Sequence, residues 1–173
     1  MRMMLPLVLL ISLWLSACGS LPPQAGQRQA GQHSWPARPP ASAAAEQQAS
    51  NVVLYALGLV DTGYRFGGKN PAAGFDCSGM VSYIFGQAAG IRISGSAADI
   101  AQRSKPVDPQ QLRPGDLLFF NTSGKPFSHV GIYIGNGRFV HAPSSAGQAR
   151  VRTENFSAPY FSRRFEAARS LLD

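Results

Sequence analysis

The stretch HVGIYIGNGRFVHAP, residues 129–143, decides the fold. Two short apolar runs, HVGIYIG and RFVHAP, flank the cluster Gly135, Asn136, Gly137, a composition that tolerates the backbone of a tight hairpin turn. His129 opens the first run and His141 stands near the end of the second. In an antiparallel pair the start of one strand lies beside the end of the next, so both imidazoles are expected at one end of a sheet.

Working outward, DLLFF at residues 116–120 is another run of strand length, and RVRT and FEAARSL are further strand candidates. N-terminal to these the period changes. NVVLYALGLVDTG, residues 51–63, has apolar positions spaced like one helix face and ends near Gly63. CSGMVSYIFGQAA, residues 77–89, repeats the pattern through Met80, Val81, Ile84 and Phe85, with Gly90 as a stop, and a shorter helical turn is expected around residues 96–103. Helices followed by an antiparallel sheet of about five or six strands describe an α+β domain. It is placed at residues 49–173, where about 125 residues suit one domain with one core.

The N-terminus reads differently. MRMMLPLVLLISLWLSACGS carries one early charge, Arg2, then an apolar run over residues 3–15. That run is shorter than the roughly 20 residues of a membrane span, so residues 1–17 read as a secretory signal peptide. Leu15, Ser16, Ala17 and Cys18 resemble the lipobox of bacterial lipoproteins, in which cleavage leaves the cysteine first and lipidated. The resemblance implies acyl chains, palmitate among them, at Cys18, enough for stable anchoring. Gly19 in place of aspartate resembles lipoproteins sorted to the outer membrane, so the expectation is an anchored envelope protein facing the periplasm. Residues 18–48, rich in Pro, Ala, Gln and Gly, have no apolar period and read as a disordered tether with a reach of roughly 30 Å. His33 falls in it as a solvated side chain.

The chain has 16 Lys plus Arg against 9 Asp plus Glu, a net charge of +7. The balance suits anionic envelope polymers. It would also suit nucleic acid, but an exported chain seldom meets any, and the interleaved aromatic and basic pattern of single-strand binders is absent.

Lipidation of Cys18 leaves Cys77 without a partner, which excludes a disulfide within the chain. Asp76 precedes the expected helix and Cys77 occupies its first turn, where unpaired N–H groups and the helix dipole favour thiolate over thiol. The plainer alternative makes Asp76 an N-cap and Cys77 a small buried hydrophobe. The two histidines shift the balance toward chemistry. One can take the thiol proton and return it to a leaving amine, and another polar group can fix its tautomer. A zinc site from Cys77, His129 and His141 would supply three ligands, but no CxxC or HxxxH spacing supports it, and no metal or cofactor is expected.

YRFGG followed by GFDCSGMV, then RPGDLLFF, SHVGIYIGNGRFVHAPSSAG and YFSRRFEAAR, resemble the NlpC-type family of bacterial cell-wall endopeptidases, which are papain-like cysteine peptidases. His129 lies 52 residues after Cys77 and His141 a further 12 on, where the family would put them. The resemblance implies Cys77 as nucleophile, His129 as base and His141 as its orienter, with Tyr64 near the oxyanion site and Asp76, Ser78 and Ser96 contacting the peptide. It implies peptidoglycan stem peptides as substrate, often cut between D-γ-glutamate and diaminopimelate, by a monomer. One departure stands out: before Ser96 the chain reads RISGS, where many relatives carry a proline, an arginine and a threonine, so the pocket's preference is open. Two rivals remain. One is a papain-like amidase or acyltransferase, although the order Cys, His, His argues against a permuted relative. The other is a non-catalytic lipoprotein that binds peptidoglycan or a partner enzyme.

Overall fold

A computed structural model describes residues 35–144 and 148–172. The elements run α1 (Ala43–Gly58), β1 (Lys69–Asn70), β2 (Gly74–Phe75), α2 (Cys77–Ala89), α3 (Ala97–Gln102), β3 (Lys105–Val107), β4 (Leu117–Phe120), β5 (His129–Gly135), β6 (Arg138–His141), β7 (Arg152–Asn155), α4 (Pro159–Ser162) and β8 (Phe165–Ser170). Six strands form one sheet in the order β3-β8-β4-β5-β6-β7, antiparallel at every pairing, and β1-β2 is a small separate hairpin. The expected α+β class, with helices against a mainly antiparallel six-stranded sheet, is the observed one.

The unbroken apolar run of β4 has a simple cause: both faces of the sheet are covered. Successive strand side chains alternate faces, so Leu117 and Phe119 join Val52, Met80, Ile84 and Phe85 in the helical layer. Leu118 and Phe120 instead meet Phe139, Phe161 and Ala168 on the other side. The turn between β5 and β6 also follows its composition, with positive φ at Gly135, Asn136 and Gly137 (93°, 51° and 69°). Within the main sheet, β3 is the strand that periodicity does not reveal. It has three residues, one of them Pro106, and sits at a sheet edge, where a missing N–H is tolerated.

The expected boundary between tether and domain at residue 48 is corrected. Helix α1 starts at Ala43, capped by Ser42, whose Oγ accepts the Ala45 N–H at 3.2 Å. Upstream of it, Arg38 makes a two-point ion pair with Asp116, Nη1 to Oδ2 at 2.7 Å and Nη2 to Oδ1 at 2.8 Å. Arg113 donates to the Pro39 carbonyl at 2.7 Å, and Gln111 donates to the Pro36 carbonyl at 3.2 Å. Residues 35–48 therefore belong to the domain. Composition alone misplaced them because alanine, glutamate and glutamine are strong helix formers even without an apolar stripe, and an ion pair with a residue 78 positions away leaves no local signature. The apolar run at residues 3–15, Cys18 and His33 lie outside the described residues. Among those described, no helix is long and apolar enough to cross a membrane.

Candidate active site

Asp76 is the N-cap of α2, and its carboxylate is fully engaged. Oδ1 accepts the Gly79 N–H at 2.6 Å and the Ser78 hydroxyl at 3.2 Å, while Oδ2 accepts the Gly67 N–H at 2.9 Å. One side chain thus starts the helix and pins the glycine-rich turn against it. The approach is close enough to demand glycine: a Cβ on Gly79 would lie 2.0 Å from the Gly68 carbonyl oxygen. The FDCSG motif is therefore a geometric unit that holds the first turn of α2, and Cys77 within it, in one place.

Cys77 is a free thiol, half-buried. Burial pushes its pKa up and the neighbouring Asp76 adds to this, while backbone N–H groups of Val130, Ser78 and Cys77 itself act in the opposite direction. The expectation that the helix start makes this cysteine a resting thiolate is corrected: desolvation outweighs the N–H groups, and the thiol form is favoured. Val130 directly follows His129, so the same contact that places sulfur against β5 places it at the base of the first histidine's strand.

His129 and His141 are both buried, at 8% and 1% exposure. Nε2 of His129 lies 2.8 Å from Nδ1 of His141, and the rings meet nearly at right angles with centroids 5.0 Å apart. Burial lowers the pKa of His129 to about 4. Burial lowers that of His141 to about 2, with His129 and Arg152 adding to the effect. The rings are held by aromatic neighbours: Phe139 and Phe161 stand 4.9 Å and 5.3 Å from His141, and Phe120 stands 6.3 Å from His129. The Phe139 ring in turn needs Gly131, since a Cβ there would fall 2.6 Å from it.

A cleft of about 560 Å³ brings together Tyr64, Asp76, Cys77, Ser78, Ser96 and His129, with His141 behind the His129 ring. Burial raises the Tyr64 pKa, with smaller contributions from Cys77 and Asp76, while a hydrogen bond with Ser144 acts the other way. Ser96 lines the cleft but is occupied in a capping box with Asp99: its N–H and hydroxyl both donate to Asp99 Oδ2, at 2.8 Å and 2.7 Å. Arg103 donates to the Ser94 carbonyl, bracing the RISGS segment from below. Sequence reading missed Lys69 and Phe66 on the cleft wall, the latter 88% exposed. Their signal was their place in the glycine-rich turn leading to Asp76. Among the described residues no three His, Cys, Asp or Glu side chains form a metal-binding group.

The NlpC/P60 family profile matches residues 61–170, a span that contains Cys77, His129, His141 and all six strands of the main sheet. The chain belongs to the NlpC/P60 family. Over 112 residues this NlpC/P60 chain is 36% identical to murein DD-endopeptidase MepH of Escherichia coli K12, covering 63% of this chain and 41% of that protein. It is 45% identical over 95 residues to gamma-DL-glutamyl hydrolase of Bacillus subtilis 168, covering 54% and 23%. A crystal structure of a lipoprotein-like NLP/P60 protein from Staphylococcus aureus Mu50 superposes with a TM-score of 0.66 at 26% identity, over 80% of this chain and 45% of that one. The chain spans less than half the length of each of these three relatives.

Proposed function

We propose that this NlpC/P60 chain is a cysteine endopeptidase that hydrolyses amide bonds in peptidoglycan stem peptides, with Cys77 as nucleophile, His129 as base and His141 as orienter. The observation that carries the reading is the 2.8 Å contact between the two histidines at the wall of the cleft that holds Cys77. With Nε2 of His129 donating to Nδ1 of His141, Nδ1 of His129 is left unprotonated and able to accept. As Sγ bonds to the scissile carbonyl carbon, the thiol proton passes to Nδ1 of His129. The Cys77 backbone N–H, with the Tyr64 hydroxyl nearby, faces the developing oxyanion. Collapse breaks the C–N bond, and the amine leaves with the proton from His129. Water then adds to the thioester, giving its proton to His129, and the carboxylate product departs as the thiol reforms.

The low pKa of His129 and the raised pKa of Cys77 support a resting pair of neutral thiol and neutral imidazole, with the proton moving during attack. Asp76 and Ser96 shape the cleft through their caps, and Tyr64 and Ser78, both partly exposed, are further candidate contacts for the peptide. The relatives' names, a DD-endopeptidase and a gamma-DL-glutamyl hydrolase, point to two different bonds. We take the D-γ-glutamyl to diaminopimelate bond as the first to test and the peptide cross-link as the second. The N-terminal apolar pattern and the Cys18 motif, with the murein enzymes among the relatives, support a lipid anchor at the outer membrane. Digestion of purified muropeptides, read by mass spectrometry, tests the activity and names the bond: wild type should shorten stem peptides and Cys77→Ala should not. Palmitate labelling of wild type and Cys18→Ser tests the anchor.

A further inference from the structure

The cleft does not end at His129. A second cavity, of about 350 Å³, opens beside the same ring, and Thr122, His129 and Ser144 line both. Cys77, Asp76 and Ser78 belong only to the first; Arg152, Glu154 and Tyr160 belong only to the second. His129 is thus the partition between them.

Arg152 and Glu154 lie two positions apart on β7, so their side chains share a face. Arg152 Nε donates to Glu154 Oε1 at 2.8 Å, and Nη1 donates to the Gln148 carbonyl at 3.0 Å. Both are part-buried, at 22% and 31% exposure, and Arg152 stands opposite His141 in the β6-β7 register. A guanidinium beside a histidine pair that must take up a proton works against the reaction by like-charge repulsion. Glu154 offsets that charge in part, and a substrate carboxylate at the guanidinium would offset it further.

We propose that this second cavity receives the leaving side of the substrate, and that Arg152 with Glu154 selects a leaving residue bearing a free carboxylate beside an amine. The inference rests on the peptidase reading above. Sulfur keeps the acyl half on the Cys77 side of the partition. The departing amine takes its proton from His129 and must therefore sit on or beyond that ring. The guanidinium has donors beyond the two bonds to Glu154 and Gln148, and a planar fork of donors suits a carboxylate. Glu154 has a second oxygen for the neighbouring ammonium. When the D-γ-glutamyl bond is cut, diaminopimelate of an uncross-linked stem carries this pair of groups at the far end of its side chain; when the cross-link is cut, only the carboxylate is left beside the leaving amine.

The test compares muropeptides whose diaminopimelate carboxylate is free with the same muropeptides amidated at that group. Wild-type protein should cleave the free form with a kcat/KM higher by about tenfold or more, mostly through KM, as removal of a charged hydrogen-bond partner does. Arg152→Gln should erase that preference. Equal cleavage of both forms by wild type, or a preference that persists in Arg152→Gln, overturns the proposal; if Arg152→Gln does not fold, the wild-type comparison decides alone. Calorimetric binding of the two forms to Cys77→Ala separates this inference from the peptidase reading. Selective binding that depends on Arg152, with no cleavage by wild type, would retain the site and remove the enzyme. Equal binding with active wild type would do the reverse.

Discussion

His129 and His141 face each other nitrogen to nitrogen at 2.8 Å, from the first residue of β5 and the last of β6. Among the described residues no carboxylate is hydrogen-bonded to either ring, so in the proposed mechanism His141 is a neutral acceptor. His129→Ala should reduce kcat by roughly 10²–10⁴-fold, the range for loss of a general base. His141→Ala should lose less, and His141→Gln, whose amide oxygen can accept from Nε2 of His129, should retain more than the alanine variant. Steady-state cleavage of muropeptides checks the order; equal activities for the glutamine and alanine variants would count against the orienting role.

Both histidines have folded-state pKa values below their ordinary 6.5, so the unfolded chain binds more protons as acid is added. Their contribution to stability is complete above about pH 6.5 and declines as pH falls toward 4 for His129 and toward 2 for His141. For His129 alone the loss between pH 6.5 and 4 is on the order of 3 kcal/mol. Urea unfolding across this window should show the decline, and His129→Gln should flatten it.

The same pKa fixes the acid limb of activity. Since the active form needs neutral His129, kcat/KM on muropeptides should hold from neutral pH down to about pH 5 and fall near pH 4. Alkylation of Cys77 at neutral pH should be slower than that of a free thiol, because burial favours the protonated sulfur. Rapid alkylation at pH 6 would show a resting thiolate instead.

Asp76→Ala removes a helix cap and the tie to Gly67 together. The cap alone is worth about 0.5–2 kcal/mol, and activity should fall with stability because Cys77 sits on the turn that the cap holds. Gly79→Ala meets the Gly68 carbonyl and should be the more damaging change. Thermal denaturation of both variants gives the comparison.

Arg38→Ala leaves the Asp116 carboxylate buried at 2% exposure without its two-point partner. Breaking such a pair costs about 3–5 kcal/mol. A chain starting at residue 49 should be less stable still, lacking the start of α1 as well, and chemical denaturation of the two against the full domain measures the difference.

Much of this architecture is written locally. Residues 77–89 carry their own cap, apolar stripe and glycine stop, so α2 is legible residue by residue, and the Gly-Asn-Gly turn announces the hairpin that pairs the histidines. What escaped the sequence is set by distance. Arg38 needs Asp116, Phe161 needs His141, and Arg152 meets the histidine pair only through strand register. The state of the Cys77 thiol escaped for a related reason. The helix start could be read from five residues, whereas the burial that opposes it comes from the whole fold.

The strap formed by residues 35–40 has a mechanical consequence. Because Arg38 grips Asp116 at the entry to β4, the third of six strands, a pull arriving along the polypeptide from before Trp35 is delivered to the middle of the sheet. Load is then shared across hydrogen-bonded neighbours on either side, and α1 is not peeled off first. With the anchor proposed at Cys18, the cleft would keep its shape under tension.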